Sequence, residues 1–338
     1  MKKITRKIKK YGILLLIAAL LVFFALLINY AVNSIDQKKV TVTVDIPTGS
    51  SFMKITEILS DAGIVRSRIL FYSLALAKRA LRSIRAGEYE FSTALTPAEV
   101  IDKLIRGEIK IYRVTIPEDF SLKEIAQRLD YYKLIHEEDF FALAADEDFL
   151  KSLKIEARSV EGYLFPDTYY FNRAMSTRHI LRTMVNRFRE KVTPEMINKA
   201  AARGFSLHQF VTFASIVGKE SGNSEEKPLI AAVFYNRMKK RMPLQSDPTA
   251  VYDLDNFDGK VLRSHLKRIS PYNTYLISGL PPGPIANPGI DSLQATLNPA
   301  AVNYLYFVSK RDGSHFFSSS LDAHSEAINR YRLNRRNN

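Results

Sequence analysis

The chain has 338 residues, a formal net charge of +14 and no cysteine. Its length and 46% hydrophobic content predict two or more modules with ample apolar core. The absence of cysteine excludes disulfides, thiolate metal sites and catalysis by a cysteine nucleophile.

The histidines give no metal-binding pattern. The six of them are scattered along the chain without HExxH or similar spacing, at positions 136, 179, 208, 265, 315 and 324. Zinc and related sites use closely spaced ligands, so we predict neither a metal site nor a bound cofactor.

The N-terminus predicts a membrane anchor. Residues 1–10, MKKITRKIKK, contain six Lys or Arg residues and no acid, and an uncharged run from Tyr11 to Ile28 follows. About 18–20 such residues span the ~30 Å hydrocarbon core. No A-x-A-like cleavage site follows, so we interpret 11–32 as a retained transmembrane helix; the alternative is a cleaved signal peptide.

The charge distribution predicts the orientation of this anchor. A basic flank stays in the cytoplasm, which places residues from about 35 onward outside the cell membrane. Outside the cytoplasm a nucleic-acid partner is not expected. The remaining positive charge, including the basic tail at 331–338, suits anionic lipid headgroups or an anionic wall polymer, although a solvated basic surface is an equal alternative.

A weak internal repeat follows the linker NSIDQKKV. Residues 44–65, VDIPTGSSFMKITEILSDAGIV, align with 114–135, VTIPEDFSLKEIAQRLDYYKLI, at a constant offset of 70. Each copy predicts a short strand, a proline turn and two helices, and a returning strand is predicted within 86–91 and within 161–171. Such β-α-α-β units resemble LysM modules, which hold glycan chains. We therefore predict LysM-like modules at 40–110 and 111–172.

The region 173–330 is predicted to be mainly helical, with long loops rich in Pro and Asn. Helical patterns cover about 176–192, 193–204, 206–221 and 223–242. Turn-rich segments with many Pro, Gly and Asn residues follow. Polar and aromatic loops on a helical base are typical of binding sites.

Glu220 is the first candidate for chemistry. It lies at i+7 from Phe213, i+4 from Ile216 and i+3 from Val217, so it continues the apolar stripe of a helix that Ser206 caps. Desolvation and the negative end of the helix dipole both raise the pKa of such a carboxyl. A carboxylic acid that stays protonated near neutral pH can act as a general acid.

Two structural interpretations of Glu220 remain open on periodicity alone. One is a salt bridge to an Arg or Lys residue of NRMKKRM, and the other is an exposed, frayed helix end. A phosphate-binding loop is excluded, because that motif needs Gly where the chain has Phe213 and Ser or Thr where it has Glu220.

Several motifs together resemble a known family. They occur in this order: EGYLFPDTYYF, ASIVGKESG, VFYNRM, LQSDPTAVY, YNTYLISGLPPGPIANPG, SLQATLNPA, YLYFV and GSHFFS. With the membrane anchor and the order of the segments over roughly 40–330, the chain resembles the endolytic murein transglycosylases, the MltG or YceG-like family.

The resemblance implies a site and a reaction. The family's catalytic glutamate lies in an I-V-x-K-E pattern, which corresponds here to Glu220. The x is often a second glutamate, and here it is Gly218. The implied enzyme is a lyase that faces the periplasm or the cell exterior and cuts newly made peptidoglycan strands between N-acetylmuramic acid and N-acetylglucosamine. One carboxyl serves as acid and then as base, so neither a second carboxylate nor a cofactor is required.

The polar loops supply candidates for sugar contacts. Amides and carboxylates bond to hydroxyl and N-acetyl groups, and tyrosine rings pack on pyranose faces. The candidates are Gln245, Asp247, Tyr272, Asn273, Tyr275 and Asn287. Asp247 ranks first, as a second acid or as a group that orients Glu220, although each of the six is equally compatible with a turn-forming role.

We therefore predict a single-pass membrane protein of the α+β class. LysM-like modules precede a helical catalytic domain, the partners are peptidoglycan glycan strands, the membrane and peptidoglycan synthases, and the N-terminus is cytoplasmic. The alternative is a non-catalytic, membrane-anchored, peptidoglycan-binding scaffold of the wall-synthesis machinery. The apolar setting of Glu220 favours the enzyme.

Overall fold

The structure is a computed structural model that describes residues 2–36, 39–255 and 257–333. Contacts divide the described chain into two compact units. One runs up to Tyr112 and includes Asn172–Ala174, and the other contains Arg113–Phe171 and the chain from Met175 onward. The second repeat copy therefore belongs to the same compact unit as the helices predicted for the catalytic domain. The basic tail at 331–338 falls mostly outside the described residues.

The first unit begins with helix α1, Lys2–Val32. An 18-residue window within its segment Lys10–Val32 has a mean hydropathy of 3.0, and this is the one helix among the described residues that is long and apolar enough to cross a membrane. The side chains along this segment are almost all exposed in the isolated chain, as a span that contacts lipid requires. The structure is thus consistent with the predicted anchor at 11–32.

The rest of the first unit is a small α+β module. It contains β1 Thr41–Ile46, α2 Phe52–Asp61, α3 Arg68–Ala77, β2 Gly87–Ser92 and α4 Pro97–Arg106. β1 and β2 are antiparallel, in a register that pairs Val44 with Tyr89. The predicted β-α-α-β order of the first copy is confirmed. The helix α4 is an addition that the sequence analysis missed, although Thr96 and Glu99 form a capping box at its start.

The second repeat copy opens the second unit. It contains β3 Tyr112–Thr115, α5 Leu122–Tyr131, α6 Glu137–Ala144, α7 Glu147–Ser152 and β4 Thr168–Phe171. β3 pairs with β4, and Ser121 caps α5 as Ser51 caps α2. The repeat is therefore present, with one extra short helix in the second copy. The LysM resemblance of either copy stays a prediction.

The predicted helical region is confirmed. It contains α8 Thr177–Lys191, α9 Pro194–Ala202, α10 Leu207–Glu220 and α11 Lys227–Lys239. The turn-rich part contains α12 Asp247–Val251, α13 Ile290–Leu297, β5 Tyr306–Ser309, β6 His315–Ser318 and α14 Leu321–Leu333. The sequence analysis assigned α13 to turn-rich chain, because a single helical period between proline-rich segments is a weak pattern. The long irregular loops at 252–289 are as predicted.

Helix α10 lies at the centre of the second unit. Ser206 caps it through a capping box with Gln209, and all nine residues from Phe210 to Gly218 are buried. The helix packs against α13 and α11, and the ring of Phe213 lies 4.8 Å from that of Tyr235. Burial on every side fixes the position of the last turn of α10, where Glu220 lies.

Candidate active site

Glu220 is the last residue of α10 and lies where this buried helix reaches the surface. Phe213, Ile216 and Val217 are fully buried in one apolar cluster, as their spacing predicts, and the Glu220 side chain is half-buried at the end of the same stripe. Ser221 ends the helix. The carboxyl is thus held by a rigid helix and still reaches solvent.

Burial raises the pKa of Glu220 to about 7. The neighbouring charge of Asp247 adds to this increase, because a second negative charge disfavours the ionised form. The Ser246 side chain, the Asp247 backbone amide and the positive charge of Arg237 act in the opposite direction. Near neutral pH a substantial fraction of Glu220 is therefore protonated and able to donate a proton.

The salt-bridge interpretation of Glu220 is not supported by this geometry. Among the described residues, no Lys, Arg or His nitrogen forms an ion pair with its carboxylate within 4.0 Å. Arg237 is the cation of NRMKKRM whose charge acts on Glu220, and it directs its Nε and Nη1 atoms to other groups. Glu220 therefore keeps a raised pKa, which a close ion pair would lower.

Arg237, on α11, organises the loop that faces Glu220. Its Nε donates to the carbonyl of Leu305 at 2.7 Å, and its Nη1 donates to the carbonyls of Pro243 and Leu244 and to Gln245 Oε1, each at 3.0 Å. The side chain is 7% exposed, and burial lowers its pKa. The sequence analysis considered this residue only as a partner of Glu220. Its place in the motif VFYNRM was the available indication of a larger role.

Two of the six predicted sugar contacts, Asp247 and Tyr275, lie near Glu220, and a third, Gln245, is joined to this group through Arg237. Gln245 and Asp247 are exposed and flank Ser246, and the half-buried Tyr275 donates its hydroxyl to Asp247 Oδ1 at 2.5 Å. Burial, this hydrogen bond and the charges of Asp247 and Glu220 raise the pKa of Tyr275. The group combines an amide, a carboxylate and an aromatic ring around one acid, which are the chemical types that recognise sugars.

The other three candidates are not in this group. Asn273 and Asn287 are fully buried. The Asn273 amide donates to backbone carbonyls, including that of Arg268 at 2.7 Å, and accepts from the amide of Tyr275. Tyr272 is half-buried, with its ring 4.7 Å from that of Tyr252. The buried asparagines hold the loops in shape and present no free amide to a ligand.

Asn287 connects to a second buried carboxylate, Glu161, which the sequence analysis missed. Glu161 is 3% exposed and accepts hydrogen bonds from the Leu122 amide, the Tyr252 hydroxyl at 2.9 Å and Asn287 Nδ2 at 2.8 Å. Burial raises its pKa to about 7, although these hydrogen bonds act against the increase. Its position in EGYLFPDTYYF was the only indication in the sequence. Enclosure makes it a structural group, while Glu220 reaches solvent.

Among the described residues, no group of three His, Asp or Glu side chains is arranged to hold a metal ion.

Comparisons with known proteins show which family the chain resembles. The model of the YceG-like family matches residues 44–330. A protein of Bacillus subtilis (strain 168) named endolytic murein transglycosylase is 34% identical, over 87% of this chain and 85% of its own length. A protein of Streptococcus pneumoniae serotype 2 with the same name is 28% identical over 92% of this chain, which spans 64% of that relative.

A solved structure agrees with these sequence matches. A yceG-like protein from Listeria monocytogenes, known from its crystal structure, is 32% identical, with a TM-score of 0.60, over 86% of this chain and all of its own. The family match extends from the first repeat copy to α14 and includes Glu220 and the loops around it. The resemblance carried by the motifs is confirmed, and the chain belongs to the YceG-like family.

Proposed function

We propose that this chain is a lytic transglycosylase that cleaves peptidoglycan glycan strands, with Glu220 as its catalytic acid and base. The proposal rests on one observation above all. Glu220 is a half-buried carboxyl at the end of a fully buried helix, with a pKa near 7 and no cation in ion-pair range among the described residues. The family's relatives named endolytic murein transglycosylase supply the substrate class.

The proposed reaction uses the single carboxyl twice. Protonated Glu220 gives its proton to the glycosidic oxygen as the bond from C1 of N-acetylmuramic acid to that oxygen breaks. Positive charge then develops at C1, and the muramoyl C6 hydroxyl oxygen forms a new bond to it. Glu220, now ionised, takes the hydroxyl proton. The products are a 1,6-anhydro end and a free N-acetylglucosamine hydroxyl, and no water is consumed.

The groups around Glu220 suit the binding of a sugar. We propose that Gln245 and Asp247 bond to hydroxyl or N-acetyl groups and that the ring of Tyr275 packs on a pyranose face. Arg237 holds the loop of Gln245 and Asp247 in place through three hydrogen bonds and donates a fourth to the carbonyl of Leu305. The carboxylate of Asp247 also keeps the pKa of Glu220 high, and its negative charge favours the cationic character of the breaking sugar.

We further propose that α1 anchors the enzyme with its N-terminus in the cytoplasm and the second unit outside. The basic residues before the apolar segment favour this orientation. A linker of about eight residues joins α1 to β1 and spans at most ~30 Å even when extended. The first module would then lie near the membrane, where synthases extend new strands.

Glu220→Gln is expected to abolish cleavage without unfolding the protein. Glutamine has nearly the same shape but cannot transfer the proton, a loss of about 10²–10⁴-fold in rate. The measurement is release of muropeptides from purified peptidoglycan by the full-length protein in detergent. Glu225→Gln, an exposed carboxyl five residues away, is the matched control and keeps full activity. A Glu220→Gln protein that cleaves normally would move the acid elsewhere, first to Asp247.

Activity is expected to fall as the pH rises through about 7, because the acid form of Glu220 is then lost. Asp247→Asn removes a neighbouring negative charge that raises this pKa, so the falling limb should move to lower pH. Single-turnover rates between pH 5 and pH 9 give both midpoints. A limb that stays in place in Asp247→Asn would show that Asp247 does not act on the catalytic acid.

The products are expected to end in 1,6-anhydro-N-acetylmuramic acid. One solvent-reaching carboxyl near neutrality suits attack by the substrate's own hydroxyl, and hydrolases instead use two carboxyl groups that flank the bond. Mass spectrometry distinguishes the two outcomes, since the anhydro end is lighter by one water. Reducing ends as the sole product would make the protein a hydrolase.

The anchor is expected to direct the enzyme to new strands. Replacement of residues 1–32 by a cleavable signal peptide should release a protein that still cuts purified peptidoglycan. In cells the released protein should no longer shorten pulse-labelled strands in preference to old ones. An unchanged preference for new strands would assign the selectivity to the loops around Glu220 and not to the membrane.

A further inference from the structure

Gly218, two residues before Glu220, has its side-chain position filled by another residue. A Cβ atom on Gly218 would overlap the carboxylate of Asp119, at 2.8 Å from Oδ2 and nearer still to Cγ and Oδ1. The last turn of α10 therefore has a carboxylate at this position, and it comes from the turn before α5. Positions 119 and 218 together have room for one carboxylate.

Asp119 is held in this place at a conformational cost. Its φ of 62° lies in the left-handed region, which residues with a side chain adopt unfavourably. Its backbone amide donates to the Asn287 carbonyl at 2.9 Å, and the Asn287 amide donates to the Phe120 carbonyl at 2.9 Å. These paired bonds fix the turn. Asp119 Oδ1 is buried and has no hydrogen-bond partner among the described residues.

The carboxylate of Asp119 belongs to a set of charges on one side of α10. Lys219 donates to Glu124 Oε2 at 3.2 Å, and Lys227 donates to Glu118 Oε2 at 3.1 Å. Both lysines act electrostatically on Asp119, as do both glutamates, and Lys219 also acts on Glu161. Positions 218 and 220 lie about 200° apart around a helix, so this set occupies the side of α10 away from Glu220.

We propose that Asp119 is a positioning residue of the catalytic helix: its carboxylate takes the side-chain place of Gly218 and, with Glu124, holds the Lys219 ammonium away from Glu220. The inference rests on the proposed function of Glu220. Lys219 is its neighbour in sequence, and an ammonium near the catalytic carboxyl would favour the ionised form and remove the general acid.

Loss of the negative charge of Asp119 is expected to lower the pKa of Glu220. The charged groups around Glu220 itself are Asp247 and Arg237, with the Tyr275 hydroxyl beside them. If Asp119 loses its charge, one of the negative charges that act on Lys219 is removed while the ion pair with Glu124 remains, so the ammonium spends more time near Glu220. The pKa of Glu220 then decreases, and the high-pH limb of activity moves down.

The first test compares Asp119→Asn with Glu118→Gln in the full-length protein. Asn has the same size as Asp and tolerates the left-handed region, so Asp119→Asn should unfold within a few degrees of the original protein. Its high-pH limb should move down by ~0.5–1 unit, which lowers the rate at pH 7 about two- to fivefold. Glu118→Gln is the comparison: its carboxylate also fills a glycine position, at Gly289, and it pairs with Lys227 and not with Lys219. The falling limb of its pH–rate profile should move less than that of Asp119→Asn.

The second test moves the carboxylate from one segment to the other. In Asp119→Gly alone, the high-pH fall of activity should move to lower pH. Gly218→Asp alone should lower the melting temperature, because two carboxylates then compete for one place. The double variant D119G/G218D should recover both the melting temperature and the original limb. D119G/G218N, which fills the same space without charge, should recover the melting temperature only.

Two results would overturn the inference. One is an Asp119→Asn protein whose activity falls with rising pH at the same midpoint as that of the original protein. The other is a D119G/G218D protein whose midpoint lies no higher than that of D119G/G218N. These outcomes are distinct from failure of the proposed function, which Glu220→Gln decides by itself. If Glu220→Gln were active, the melting temperatures of the exchange series would still test whether positions 119 and 218 share one carboxylate.

Discussion

The burial of helix α10 on all sides is the constraint on which the site depends. A helix that is covered from Phe210 to Gly218 cannot rotate or slide without disrupting the core around it. Its final residue then emerges at one fixed place, half-buried against apolar neighbours. The position of the Glu220 carboxyl and the larger part of the increase in its pKa have this same origin, and the charge of Asp247 adds to the increase.

The surrounding loops have little regular structure, and buried polar side chains hold them instead. Arg237 binds the carbonyls of Pro243 and Leu244, Asn273 binds the segment before it, and Asn287 bonds to Glu161 and to the backbone of Phe120. These hydrogen bonds make the burial of the three polar side chains tolerable and the loop shape specific. The exposed Gln245 and Asp247 owe their places beside Glu220 to these connections.

The sequence predicted what depends on local pattern. Spacing along one helix identified Glu220, Ser206 and the apolar stripe between them, and the repeat predicted the strands and helices of its two copies. The contacts that were missed join distant segments: Glu161 and Asn287 are 126 residues apart, and Asp119 meets Gly218 from another turn. No periodicity connects such residues. In the sequence, Gly218 stands where the family motif often has a second glutamate. In the fold, the carboxylate of Asp119 occupies the side-chain position of Gly218.

The two carboxyls with a pKa near 7, Glu161 and Glu220, also relate function to stability. Burial raises the pKa of each above its value in the unfolded chain, near 4.5, so folding favours the protonated forms. Their contribution to the free energy of unfolding is complete below pH 4.5 and is lost as the pH rises through 7. Glu161 offsets part of this loss through four hydrogen bonds, one from Tyr252 and one from Asn287 among them. Glu220 is supported by the Ser246 side chain, the Asp247 amide and the charge of Arg237, while the charge of Asp247 acts in the opposite direction. The fold therefore gives the enclosed Glu161 three hydrogen-bond donors and leaves Glu220, the proposed catalytic acid, at the surface end of α10.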